Sequence, residues 1–132
     1  MILVDTSAIY ALADRADPNH QLAVKCFATL LESGARLVTH NYVITESMAL
    51  LQRRLGLQSA LRFAADVRSF EVEWVTAPIH ESAVAALGES ESRGISLVDH
   101  VSFLVMQARG LERAFAFDAD FAARGFELVG PV

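Results

Sequence analysis

The chain has 132 residues, of which 53% are hydrophobic, and its formal net charge is −5. This length suffices for a hydrophobic core without cross-links, so we expect a single domain over residues 1–132. The negative charge argues against non-specific duplex binding through a large basic face, and no apolar stretch approaches the roughly 20 residues of a membrane span.

The single cysteine, Cys26, cannot form an internal disulfide, and the chain opens into an apolar segment rather than a basic, cleavable signal. Both features favour a reducing compartment, so we expect a protein of the cytoplasm. Hydrophobic residues exceed the usual share of about 45–50%. This excess is consistent with a surface that docks onto a second chain, either another copy or a protein partner.

Short apolar strands alternate with helices in the first half of the chain. Strands are predicted at residues 2–4 and 36–39, and helices start at 8 and cover 18–32, 42–55 and 57–69. Asp17 followed by Pro18 is typical of a helix start, and Asn41 is a favourable N-cap for the third helix. Gly34 and Gly56 indicate helix ends.

The second half continues the alternation. Strands are predicted at residues 72–76, 113–117 and 126–129, and helices at 78–92, at 97–109 behind the cap Ser96, and briefly at 121. Strands of four to six residues that are apolar on both faces, with helices between them, indicate a mainly parallel sheet covered on both sides. The predicted fold class is therefore α/β.

Four acidic residues lie in or at the ends of apolar segments. They are Asp5 after the first strand, Glu46 in the third helix, Asp99 near Ser96 and Asp118 after the fourth strand. An ionised carboxylate near a core is costly unless it is paired, hydrogen-bonded or bound to a metal. Because no lysine or arginine lies in the same segments as Asp5, Asp99 or Asp118, backbone caps or a cation are the candidate partners.

Parallel sheets bind ligands beyond the carboxyl ends of the strands, where the strand order reverses. Asp5 and Asp118 follow strand ends, so they converge if the first and fourth strands are neighbours. Glu46 and Asp99 lie in early turns of helices that start at the same edge. Four carboxylates in one pocket repel one another unless they bind a cation, and Mg²⁺ or Mn²⁺ is the expected ion.

A purely structural interpretation remains open for each acid. Asp5 is a suitable helix cap, and Ser96-Leu97-Val98-Asp99 matches the capping-box pattern. Glu46 lies at the margin of an apolar helix face, while Asp118 and Asp120 suit the start of a short helix. On this interpretation the chain is a non-catalytic interaction module whose acids cap helices and whose apolar surface binds a partner.

Four motifs, taken in order, resemble the PIN-domain ribonucleases. They are Val4-Asp5-Thr6-Ser7-Ala8, Glu46-Ser47-Met48-Ala49-Leu50-Leu51, Ser96-Leu97-Val98-Asp99-His100-Val101-Ser102-Phe103 and Phe117-Asp118-Ala119-Asp120-Phe121. Within that family the chain looks most like the VapC-type toxins of bacterial toxin–antitoxin pairs. The resemblance covers the whole chain.

The resemblance implies an α/β/α sandwich with a five-stranded parallel sheet and Mg²⁺- or Mn²⁺-dependent endoribonuclease activity. It also implies a homodimer and a cognate antitoxin that blocks the site. Carried over by position, it implies that the catalytic residues are Asp5, Glu46, Asp99 and Asp118. It further implies that the metal ligands are Asp5, Asp99, Asp118 and Asp120.

The chain departs from the family pattern at one position. Many relatives carry Thr or Ser two residues before the fourth acid, where this chain has Ala116. A hydroxyl that orients water or a carboxylate is therefore missing there. We expect Thr6 and Ser7 to act as auxiliary residues in its place.

Overall fold

The computed structural model describes residues 1–129 and contains a five-stranded sheet. The strands are β1 Ile2–Val4, β2 Leu37–His40, β3 Glu71–Glu73, β4 Arg113–Phe115 and β5 Glu127–Leu128. Their order across the sheet is β3-β2-β1-β4-β5, and all four pairings are parallel. The prediction of an α/β fold with a five-stranded parallel sheet is confirmed.

Seven α-helices connect the strands within the described residues. They are α1 Thr6–Ala13, α2 His20–Glu32, α3 Asn41–Leu55, α4 Leu57–Asp66, α5 Ala77–Glu89, α6 Leu97–Arg109 and α7 Asp120–Ala123, with a 3₁₀ turn at Val67–Ser69. Parallel strands need crossover connections of this kind, because a tight turn joins only antiparallel neighbours. Across this part of the chain, every helix is too short or too polar to traverse a lipid bilayer.

The central strand β1 separates two hydrophobic clusters. Ile2 and Val4 face the cluster formed with helices α1 to α4, whereas Leu3 faces the cluster formed with α5, α6 and α7. Successive side chains of a strand point to opposite faces, so three apolar residues in a row contribute to both clusters. The result is a three-layer sandwich with helices on both sides of the sheet.

The structure corrects two predicted helix starts. Helix α2 begins at His20 rather than Pro18, because the carboxylate of Asp17 accepts a hydrogen bond from the backbone N–H of Asn19 (2.8 Å) in a turn before the helix. Helix α3 is capped by His40, whose Nδ1 accepts from the N–H of Val43 (3.3 Å). In both places a side chain accepts a hydrogen bond from a nearby backbone N–H, and such local hydrogen bonds influence where a helix begins.

The predicted cap Asn41 is instead the first residue of α3. Its side-chain oxygen accepts a hydrogen bond from the backbone N–H of Val75 (2.7 Å), which ties the start of α3 to the segment after β3. Strand β3 is also shorter than predicted and ends at Glu73. Trp74 therefore lies outside the sheet, with 70% of its surface exposed.

Replacing Leu3 by Ala should destabilise the protein by about 2–5 kcal/mol, because the fully buried side chain leaves a cavity beside the central strand. The free energy of unfolding in urea measures this cost. The control is Val84→Ala on α5, where the side chain is 47% exposed and the expected change is within about 0.5 kcal/mol. Equal losses in the two variants would contradict the assignment of Leu3 to the core.

Candidate metal centre

The strand order reverses between β1 and β4, which lie side by side in the middle of the sheet. They pair in parallel with Val4 opposite Phe115, and the N–H of Asp5 donates to the carbonyl oxygen of Phe115 at 3.0 Å. Asp5 follows β1 directly, and Asp118 comes three residues after β4 ends. Both acids therefore lie at the carboxyl edge of the sheet, where parallel sheets bind ligands.

The side chain of Asp5 is buried and held by Ser7. Its Oδ2 accepts hydrogen bonds from the backbone N–H of Ser7 (3.1 Å) and from the Ser7 hydroxyl (2.6 Å), so Asp5 is the N-cap of α1. The hydroxyl oxygen of Ser7 also accepts a hydrogen bond from the N–H of Phe117 (2.9 Å). Ser7 thus connects the Asp5 carboxylate to the backbone that leads into Asp118.

Three carboxylates form a cluster beside Asp5. Asp99, Asp118 and Asp120 each offer one oxygen atom, and these three atoms all lie within 4.8 Å of one another. Asp99 is contributed by the first turn of α6, Asp118 by the segment after β4 and Asp120 by the start of α7. Asp5 is not a member of this cluster.

Backbone hydrogen bonds hold two members of the cluster in place. Ser96 and Asp99 form a capping box, in which the N–H of Ser96 donates to Asp99 Oδ2 (2.9 Å) and the N–H of Asp99 donates to Ser96 Oγ (3.2 Å). Asp118 Oδ1 accepts from the N–H of Asp120 (2.9 Å). A carboxylate has roughly four lone-pair sites, so one such bond leaves capacity for a cation.

Burial, together with neighbouring charges, raises the pKa of Asp5, Asp99 and Asp120. Burial is the main cause that raises the pKa of Asp5 from 3.8 to about 6, and the charges of Asp99 and Asp118 add to it. Burial also raises the pKa of Asp99, with a contribution from Asp118. The pKa of Asp120 is raised by burial and by Asp118, whereas the charge of Arg124 lowers it.

The donor set fits a small, hard divalent cation. Mg²⁺ binds oxygen at about 2.1 Å, so two of its ligands are at most about 4.2 Å apart. The oxygen atoms of Asp99, Asp118 and Asp120, within 4.8 Å of one another, need only a small rotation of the side chains to meet that distance. All three donors are carboxylates, the type that Mg²⁺ and Mn²⁺ prefer.

Glu46, like Asp5, lies outside the cluster of three carboxylates. It is exposed on α3 and is not one of the three clustered carboxylates. Its neighbour Ser47 is buried, and the Ser47 hydroxyl donates to the Thr6 hydroxyl at 3.4 Å. Glu46 therefore belongs to a helix that contacts the start of α1, next to Asp5.

Ala116 directly follows β4 and is buried in the hydrophobic cluster on the α5, α6 and α7 side of the sheet. The hydroxyl oxygen of Ser7 accepts a hydrogen bond from the backbone N–H of Phe117, the next residue along the chain. A hydroxyl from α1 therefore lies at the segment between Ala116 and Asp118.

Two residues near the cluster, Phe103 and Arg124, are not predicted from the sequence as site residues. The guanidinium carbon of Arg124 lies 4.8 Å from the ring centroid of Phe103. Phe103 follows Asp99 by one helical turn, and Arg124 follows Asp120 by the same interval. Nothing in the local sequence indicates this contact, because it forms only when α6 and α7 pack together.

Comparisons of the sequence and of the structure with known proteins point to the same family. A PIN-domain family profile matches residues 2–127. The chain is 40% identical over 133 aligned positions to the 23S rRNA-specific endonuclease VapC20 of Mycobacterium tuberculosis, in strains CDC 1551 / Oshkosh and ATCC 25618 / H37Rv, and the alignment covers 99% of each protein.

Two solved structures share this fold. The crystal structure of M. tuberculosis VapC20, described as a sarcin-ricin loop cleaving toxin, matches with a TM-score of 0.88 and 38% identity, covering 99% of this chain and 100% of the other. The crystal structure of PAE2754 from Pyrobaculum aerophilum matches with a TM-score of 0.64 and 25% identity, covering 97% and 88% of the two chains.

Replacing Asp5 by Asn should stabilise the metal-free protein at pH 7. Folding raises the pKa of Asp5 from 3.8 to about 6, so ionisation of Asp5 reduces stability as pH rises through this interval, by up to roughly 3 kcal/mol. Asn caps a helix about as well as Asp and carries no charge.

Urea unfolding in EDTA at pH 7 and pH 4 measures this effect. The advantage of Asp5→Asn should be present at pH 7 and largely absent at pH 4, where the buried acid of the native protein is neutral. Asp66→Asn, which changes an exposed carboxylate on α4, should not reproduce the difference. A variant that is less stable than wild type at pH 7 would contradict the assigned environment of Asp5.

Proposed function

The chain belongs to the PIN-domain family, and from this premise we propose that it is a divalent-metal-dependent endoribonuclease, the toxin of a type II toxin–antitoxin pair. The observation that carries the proposal is the cluster of Asp99, Asp118 and Asp120, whose oxygen atoms lie within 4.8 Å of one another. This cluster lies where the strand order of the sheet reverses, the place at which parallel sheets bind ligands.

The proposed substrate is 23S ribosomal RNA. The support is the identity of 40% over 99% of both chains with a 23S rRNA-specific endonuclease. The related crystal structure, a sarcin-ricin loop cleaving toxin, matches this chain over nearly its full length. We therefore take the sarcin-ricin loop as the first cleavage site to test.

We assign the metal-binding role to Asp99, Asp118 and Asp120, with Asp5 as a further ligand that acts directly or through water. Bound Mg²⁺ or Mn²⁺ supplies an activated water and neutralises charge that develops on the phosphodiester during hydrolysis. Ser7 orients the Asp5 carboxylate through the hydrogen bond of 2.6 Å. The backbone N–H of Ser96 orients the Asp99 carboxylate, and the Ser96 hydroxyl oxygen accepts a hydrogen bond from the backbone N–H of Asp99.

Glu46 and Thr6 have proposed roles at the rim of this centre. Glu46 is exposed on α3, and we assign it a catalytic role as an acceptor for a proton or a water molecule close to the substrate. Thr6 is buried and accepts a hydrogen bond from Ser47. We propose that this contact holds α3 against the start of α1, where Thr6 follows Asp5 directly.

The family membership also supports several proposals about assembly. We propose that residues 1–132 form one PIN domain, that the protein is a homodimer and that a cognate antitoxin binds it. The proposed site of action is the cytoplasm, where ribosomal RNA is present. A non-catalytic module is less favoured, because the full-length similarity is to an endonuclease.

Replacing Asp99 by Asn should reduce cleavage of purified 23S rRNA by at least about 100-fold. Changing a residue that only hydrogen-bonds to a metal ligand costs roughly 10- to 100-fold, and changing a ligand itself should cost no less than the upper value. The wild-type protein should cut at discrete positions with Mg²⁺ or Mn²⁺ and not with EDTA. Fragments separated by electrophoresis and mapped by primer extension measure both rate and position.

The matched control for this variant is Asp66→Asn, which removes an exposed carboxylate from α4. It should cleave at the wild-type rate. Folded, partner-free protein that leaves the RNA intact with both metals would contradict the proposed function. Cleavage by Asp99→Asn at the wild-type rate would contradict the assignment of the site.

A further inference from the structure

We propose that Arg124 binds a phosphate of the RNA strand beside the candidate metal centre, through a guanidinium held over the ring of Phe103. The inference rests on the proposed ribonuclease function, because it concerns how that site holds a polyanionic substrate. It assigns a substrate-binding role to one arginine among the ten that the chain contains.

Two other arginines, unlike Arg124, are paired with a carboxylate. Arg36 and Arg109 both form ion pairs with Glu71, at 2.8 Å and 2.7 Å, and Glu71 begins β3 at the amino end of the sheet. Within residues 1–129, no carboxylate lies within 4.0 Å of the Arg124 guanidinium, and the residue is exposed. Its hydrogen-bond donors are therefore available for a ligand.

The backbone and the ring both restrict the position of Arg124. It is the C-cap of α7, and its N–H donates to the carbonyl oxygens of Asp120 and Phe121, each at 3.2 Å. The guanidinium carbon lies 4.8 Å from the centroid of Phe103, a ring that is itself packed against Phe121 and Phe126. A cation held over an aromatic face loses little freedom when it binds an anion, and the planar fork suits a phosphate.

The same contacts connect Arg124 to two members of the carboxylate cluster. Asp120 starts the short helix α7, Arg124 follows its last residue, and Asp99 lies one turn before Phe103 on α6. Arg124 is therefore a positive charge at the end of the helix that carries Asp120, over a ring of the helix that carries Asp99.

A positive charge near the cluster reduces the electrostatic repulsion between the protein and RNA. Three carboxylates exceed the charge of one divalent cation, so the centre keeps a net negative charge when one such cation is bound and repels RNA. The whole chain is also acidic, with a net charge of −5. A fixed guanidinium next to the cluster offsets this repulsion locally and accounts for phosphate binding without a large basic face.

The alternative is that Arg124 only covers the aromatic ring of Phe103. Arg124→Met separates the two roles, because Met preserves an apolar cover and removes the charge and the donors. If Arg124 binds phosphate, Arg124→Met should raise KM for purified 23S rRNA about tenfold or more, in keeping with the loss of charged hydrogen bonds. It should change kcat by less than about threefold and should not weaken Mn²⁺ binding.

Two further measurements make the test specific. The dependence of log KM on log salt concentration should become shallower by about 0.7 to 0.9, the contribution of one phosphate contact. Arg124→Lys should restore part of the affinity, because it returns the charge without the planar fork. The matched control is Arg68→Met in the exposed 3₁₀ turn before β3, at the opposite end of the sheet, and it should leave KM unchanged.

The outcomes separate this inference from the function on which it rests. A wild-type protein without metal-dependent cleavage would overturn the proposed function and this inference with it. A wild-type protein that cleaves, together with an Arg124→Met variant of unchanged KM and salt dependence, would overturn the inference alone. Unchanged stability of Arg124→Met together with an unchanged KM would show that Arg124 only covers the ring.

Discussion

Repulsion between carboxylates at one edge of the sheet is the constraint that shapes the rest of the site. Asp5 is 4% exposed, and its pKa is raised by its burial and by the charges of Asp99 and Asp118. A protein keeps such an arrangement only when another interaction offsets its cost. The parallel pairing of β1 with β4 makes the arrangement unavoidable, because it brings both strand ends to the same edge.

Hydrogen bonds from the backbone offset part of this cost and leave carboxylate oxygens available to bind a cation. Helix α1 is capped by Asp5, and the capping box of α6 includes Asp99. Capping stabilises negative charge at a helix N-terminus and still leaves oxygen lone pairs free for a cation. The structural interpretation of these residues and the metal-binding interpretation are therefore compatible, and the same hydrogen bonds that stabilise the helices orient the proposed ligands.

Much of the fold could be predicted from the sequence, whereas the details of the site could not. Strand and helix alternation predicted the parallel sheet, and the position of Asp5 and Asp118 after apolar strands predicted their common edge. The choice between His40 and Asn41 as the cap of α3 depends on a contact with Val75, which is distant in sequence. The exposure of Glu46 depends on how α3 packs against α1, which periodicity does not determine.

A crystal structure with Mn²⁺ tests the proposed metal centre, because this ion scatters anomalously and can be located independently of the protein. We expect an anomalous peak within about 2.5 Å of oxygen atoms from at least two of Asp99, Asp118 and Asp120, with Asp5 bound directly or through water. A peak at another place, or no peak at a saturating Mn²⁺ concentration, would rule out this metal centre and leave the acids with a purely structural role.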